Sequence, residues 1–186
     1  MKAYLFLIPL FFGFASNLAS AFTTAFSRRW GARRGSLVSV ILRNVLGIPI
    51  WAIGFGLAFN ASSPFLLAPK FLITILGWLS IVIGGAVIIV ALITIRLRSV
   101  VPSTQDALAE VGIYAHVRHP IHSGTLLEFL GVFLIGPSLA VAIACAVGIV
   151  WVFLQTRFEE QDLLLRLPAY REYMERVPRF LPRLRS

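Results

Sequence analysis

Cysteine occurs once in the chain, at Cys145, which excludes an internal disulfide and any cysteine-based metal cluster. Acidic residues are also scarce, 8 against 17 lysines and arginines, and charged residues of both signs make up only 13% of the sequence. Internal repeats and low-complexity linkers are absent as well. What remains is apolar: 58% of residues are hydrophobic and the mean hydropathy is +0.86. That balance excludes a soluble globular domain. The chain reads as an integral membrane protein of 186 residues, one membrane domain over 1–186. Several spans of about 20 residues each use up nearly all of it. Chemistry is therefore expected in or beside the bilayer.

The apolar runs predict an all-α, polytopic membrane helix bundle of about five transmembrane helices with a short cytoplasmic helical tail at the C-terminus. The predicted spans are Ala3 to Phe26, Ser36 to Phe59, Phe71 to Ile95, Ser123 to Ile135 and Leu139 to Thr156. The fourth is short, and Gly136, Pro137 and Ser138 predict a tight hairpin joining it to the fifth. Residues 1–111 then form a three-span scaffold, and 112–186 a helical hairpin with its tail.

Arginine placement sets the expected orientation. Arg28, Arg29, Arg33 and Arg34 share one loop, Arg96, Arg98 and Arg118 another, and seven more lie from Arg157 to Arg185. In a five-span chain these segments share one side, which the positive-inside rule makes cytoplasmic, with the N-terminus outside. The net charge of +9 thus reflects topology and attraction to anionic membrane lipids, and no nucleic-acid partner is expected. Lys2 before an apolar stretch and the Ala19, Ser20, Ala21 run also fit a cleaved leader. The run nevertheless continues through Phe22 and Phe26 to four arginines, as a spanning helix does.

Two polar clusters interrupt the grease. The first runs from Gly112 to Gly124 and contains Tyr114, His116, Val117, Arg118, His119, Pro120 and His122. Pro120 lacks an amide proton and pushes His119 toward an extended conformation, so a helix is expected to start there. Its free amides attract carboxylates or phosphates, and Arg118 beside them adds a forked donor. A plainer reading makes Arg118 a membrane anchor and Pro120 a helix starter. The second cluster is Arg157, Phe158, Glu159, Glu160, where carboxylates stand at a place membrane helices usually give to bases. Adjacent helical residues project about 100° apart, so the two acids serve different partners. One is suited to a sugar diol and the other to Arg157 or Arg118. The plainer alternative is a solvated helix continuing through Asp162 to Arg166.

Together these residues resemble the isoprenylcysteine carboxyl methyltransferase and phospholipid methyltransferase superfamily of membrane enzymes. Gly112, Tyr114, Val117, Arg118, His119, Pro120 and Gly124 match its first motif. Arg157, Glu159, Glu160, Leu163, Tyr170, Tyr173, Val177, Pro178 and Pro182 match its second. The resemblance covers about the last ninety residues. Ile113 and His122 stand where the family commonly has proline and tyrosine. The resemblance implies S-adenosylmethionine at the cytoplasmic ends of the last helices, bound by Tyr114, Val117, Arg118, His119, Pro120, Gly124, Arg157, Glu159 and Glu160. It also implies a lipophilic or lipidated acceptor, such as an isoprenylcysteine carboxylate or a lipid, entering from the bilayer.

An activated methyl group asks little of side chains beyond alignment. A carboxylate acceptor needs no base, whereas an amine needs one, for which His122 and Glu128 are candidates. Arg43, about 10 Å inside its helix at 1.5 Å per residue, is the candidate to position an anionic acceptor. The competing expectation is an Arg43 to Glu128 ion pair that locks two helices. His116, His119 and His122 recur at every third position, but Pro120 interrupts the helix that would align them, so no metal is expected. Two other functions are consistent with parts of the pattern: an NADPH-dependent sterol-type reductase, and a non-catalytic scaffold or transporter.

Overall fold

A computed structural model of the chain describes residues 4–68, 70–95 and 108–183. Arg96, Arg98 and Arg185 lie outside the described residues, as does the predicted first residue of the first span, Ala3. Every regular element described is helical, and the one bridge between extended residues, Phe65 with Ser138, joins two loops.

The predicted first span forms two helices, α1 (Leu7–Ala19) and α2 (Thr23–Trp30), bent by 64°. Hydropathy is blind to the cause. The Ser20 hydroxyl donates to the Asn17 carbonyl at 2.5 Å, competing with the backbone ladder, and Phe22 leaves the helical region at φ −84°, ψ 40°. Gly31, at φ 83°, turns the chain into the next helix through a conformation that side chains resist.

That next helix is continuous over Ala32–Phe59, 28 residues. It comprises α3 (Ala32–Val40), a wide π segment (Ile41–Gly47) and α4 (Ile48–Phe59). The π segment ends beside Pro49, whose ring collides with the carbonyl four residues back in regular α geometry. Such bulges recur at functional sites, and this one carries Arg43 and Asn44. Helix α1 runs antiparallel against it, with Gly13 on Trp51 and Gly54 on Leu10.

Helices α5 (Phe71–Thr94) and α6 (Pro120–Ile135) pack closely along their length. Gly84 faces Gly124 and Gly77 faces Gly131, so that a Cβ on Gly84 would lie 2.6 Å from the Gly124 carbonyl oxygen. Small residues at matched spacing let two backbones touch, the usual device for helix pairing in lipid. The Ser80 hydroxyl donates to the Leu127 carbonyl between the two contacts, at 2.7 Å. The sequence predicts α6 as half of a hairpin with the following helix. The two do meet, but through side chains, Phe129 filling the notch at Gly148.

Helix α7 (Leu139–Arg166) continues past the predicted end at Thr156. Its 28 residues reach about 42 Å, roughly 12 Å more than the hydrocarbon core of a bilayer. The surplus turns carry Glu159, Glu160 and Asp162 beyond the apolar section. Ser138 caps its start, and the loop before α5 seals that end of the bundle: Leu66 donates to the Pro137 carbonyl and Leu139 to the Pro64 carbonyl. A short α8 (Tyr170–Arg176) follows at the opposite end.

The core is aromatic. Phe14 stacks between Trp51 and Trp151 at ring separations of 5.6 and 4.9 Å, and Phe55 stacks on Phe129 at 5.3 Å. Outside, Phe71, Leu72, Trp78, Val82 and Ile93 of α5 are exposed, a continuous apolar face that water would not tolerate and lipid covers. Three helices are long and apolar enough to cross a membrane, four if the bent pair α1 and α2 counts as one span. The shorter α6, 16 residues, leaves the expected count of five unmet on length alone. The chain is a multi-pass membrane protein.

Candidate active site

At the end of the bundle opposite the sealed loops, a cavity of about 480 Å³ opens between the π segment, α5, α6, α7 and α8. Its floor and its rim have different chemistry. Ile48, Trp51, Ile88 and Leu92 make the membrane-side walls, while Arg43, Arg118, His119 and Glu159 crowd the rim.

The sequence's two polar clusters meet here. A 3₁₀ turn (Gly112–Ala115), with Gly112 at φ 58°, leads into the Arg118 to Pro120 bend, and α6 starts at Pro120 as its missing amide predicts. The bend is laced to the segment after α8: Arg118 and His119 donate their amides to the Pro178 and Arg179 carbonyls at 2.9 and 3.0 Å, and the Ser123 hydroxyl donates to the Phe180 carbonyl at 2.7 Å. Tyr173 donates its hydroxyl to the Tyr114 carbonyl at 2.6 Å, pinning the 3₁₀ turn on α8. Burial pushes the Tyr173 phenol up to about 12, and burial followed by the charge of Glu159 raises that of Tyr114. Both remain neutral donors in the neutral pH range.

The twin acids divide their work as helix geometry requires. Glu160 is buried and gathers Arg179, Arg118 at 3.4 Å and His119 Nε2 at 3.2 Å. Glu159 faces the cavity: its Oε1 accepts from Gln155 at 2.8 Å and Arg43 at 3.1 Å, and its Oε2 stands 3.8 Å from His119 Nδ1. His119 is thus held between the two carboxylates.

Arg43 therefore pairs with Glu159 rather than with Glu128, which corrects the expected ion pair. The π segment aims Arg43 at α7, where its Nε also donates to the Ser20 hydroxyl at 3.3 Å. Glu128 lies a few turns inside the cavity against Gly84 and Gly85.

Of the residues predicted for the site, Arg43, Tyr114, Arg118, His119, Pro120, His122, Glu128 and Glu159 line the cavity. Glu160 stands behind that wall, Val117 is buried behind the turn, Gly124 is a helix-packing contact and Arg157 is exposed. His116 is exposed while His119 and His122 turn inward. Gln155 and Arg179 were not legible as site residues. Gln155 is one helical turn before Glu159, which is the only signal the sequence offered for it.

Several polar groups on lining residues are buried without a hydrogen-bond partner among the described residues: Arg118 Nε and Nη1, the indole nitrogens of Trp51 and Trp151, Gln155 Oε1 and the Tyr170 hydroxyl. Buried polar groups are normally satisfied, so their gathering around one cavity leaves donors and acceptors there that a polar ligand could meet.

The fold and the site together define a multi-pass helical membrane protein with a charged, ligand-sized cavity at one rim. The family model described as phospholipid methyltransferase matches residues 72–167, more than half of the chain, and the chain belongs to that family of membrane methyltransferases. The matched segment runs from α5 to the end of α7 and includes His119, Glu159 and Glu160, but neither Arg43 nor Arg179. Among curated proteins and among solved structures nothing matches.

Proposed function

We propose that the chain binds S-adenosylmethionine in this cavity and methylates a lipophilic acceptor that arrives from the bilayer. The observation that carries the reading is the set of orphaned polar groups on the wall. Arg118 presents two unpartnered guanidinium nitrogens beside the start of α6, a matched receptor for the cofactor's carboxylate. Across the cavity, Glu159 Oε2 is an acceptor for its ammonium or ribose hydroxyls. Tyr114 and Trp151 offer ring faces to its flat base. When bound, the cofactor supplies a methyl group already activated by a positive sulfur, so the protein's task is alignment. Holding reactants in line contributes about 7 to 11 kcal/mol in well-oriented systems.

The acceptor enters where Ile88 and Leu92 of α5 face Ile48 and Trp51 of α4 across the cavity. Its reactive group we assign as a lipid amine. Arg43 is committed to Glu159, which removes the cation that a carboxylate acceptor would need, while Glu128 leaves a carboxylate on the wall that can hold an ammonium group and take its proton. The arginines from Arg28 to Arg34 and from Arg157 to Arg179 support a cytoplasmic assignment of this rim by the positive-inside rule.

Thermal unfolding of the detergent-solubilised protein tests the cofactor directly. S-adenosylmethionine is expected to raise the melting temperature and NADPH to leave it unchanged. Protection by NADPH instead would assign the cavity to reductase chemistry.

A further inference from the structure

We propose that His119, His122 and Glu159 also form a binding site for a divalent ion of the zinc type, at the rim of the same cavity. One ligand atom from each lies within 4.8 Å of the others. A tetrahedral ion with bonds of about 2.0 to 2.1 Å needs its ligands roughly 3.3 Å apart, a closure within the reach of small side-chain rotations.

The supporting groups are already in place. His119 Nε2 lies 3.2 Å from Glu160 Oε1, a carboxylate oxygen that accepts, so Nδ1 is the nitrogen turned toward Glu159 Oε2 and the one an entering ion would take. An imidazole whose outer nitrogen is held by a carboxylate is the standard second layer of a metal-binding histidine: it fixes the tautomer and raises the basicity of the inner nitrogen. Glu159 is steadied in the same way, its Oε1 fixed by Gln155 and Arg43, so Oε2 is the oxygen left for an ion. His122 completes the set, its ring edge-on to His119 at 5.7 Å and braced by Trp151 at 5.8 Å. Two histidines and one carboxylate leave the fourth position open to the cavity.

Charge alone does not favour a cation here, because Arg43, Arg118 and Arg179 surround the two acids. Affinity rests on imidazole coordination, which suits zinc and its neighbouring transition metals, whereas magnesium and calcium prefer oxygen ligands. An ion on Glu159 Oε2 occupies the oxygen assigned above to the cofactor, so zinc is expected to inhibit by competition; this last step rests on that assignment.

The test is a cobalt titration of the full chain, carrying no added histidines, in detergent. The expected result is one ion per chain with the visible absorption of four-coordinate cobalt, displaced by zinc and untouched by excess magnesium. His122→Ala is expected to weaken binding about tenfold or more, while exposed His116→Ala leaves it unchanged. Unsaturable binding, binding lost with His116→Ala, or full-strength binding in a folded His122→Ala variant overturns the site. If cobalt binds as described but S-adenosylmethionine fails to displace it, the metal site stands and the cofactor placement falls.

Discussion

His119 Nε2 lies 3.2 Å from Glu160 Oε1, across 41 residues of chain and a complete helical hairpin. This contact joins the bend that starts α6 to the surplus turns of α7, and Arg179 closes over it from the far side of α8. Glu160 therefore organises the rim without touching the cavity. Glu160→Gln leaves two arginines around a neutral amide, and breaking a buried ion pair this way costs about 3 to 5 kcal/mol. The expected outcome is a lower melting temperature together with loss of S-adenosylmethionine protection, while Arg179→Ala, at a half-exposed side chain, costs less.

Arg43 and Glu159 form the pair that spans the π segment and α7. Arg43→Glu alone sets two carboxylates against each other and is expected to lower the melting temperature. Adding Glu159→Arg is expected to restore part of the loss, and adding Glu128→Arg is not. Recovery with Glu128→Arg alone would return the ion pair to the partner predicted from sequence.

The glycine contacts between α5 and α6 leave no room for a side chain. Gly84→Val drives two methyl groups into the backbone of α6 at Gly124, and folded protein recovered from membranes is expected to fall sharply. Gly56→Ala meets nothing within 4 Å, and a gain of about 0.5 to 1 kcal/mol from lower chain entropy is expected there.

Tyr173→Phe removes the donor to the Tyr114 carbonyl and is expected to cost about 1 to 3 kcal/mol by leaving a buried acceptor unmet. With the Tyr173 phenol pushed up to about 12, the hydroxyl stays protonated throughout the neutral range. The raised value adds stability below the ordinary tyrosine pKa and loses it only as pH climbs toward 12. The difference between variant and parent is thus expected to be flat near neutrality when unfolding is followed at several pH values.

The parts of this architecture legible in the sequence are those set by local chemistry. Pro120 announces the start of α6, the apolar runs announce the helices, and the carboxylates at Glu159 and Glu160 announce something other than a membrane exit. Their division of labour follows from helix periodicity. The bend at Ser20 was hidden because the residues on both sides are equally apolar, and one hydroxyl bonding to a carbonyl decides it. The partner of Arg43 was hidden because a π turn changes which way a side chain points, and depth along a regular helix cannot register that. Arg179 was hidden because its role depends on how the chain returns after α8, which no local pattern encodes.

The central claim is that the orphaned groups around this cavity receive a methyl donor. Membranes containing the chain, incubated with methyl-labelled S-adenosylmethionine, test it most directly. Label is predicted in the amine-bearing lipid fraction and is predicted to disappear with Glu159→Gln and with Arg118→Gln. Label no higher than in membranes lacking the chain, or undiminished by both substitutions, would contradict the account.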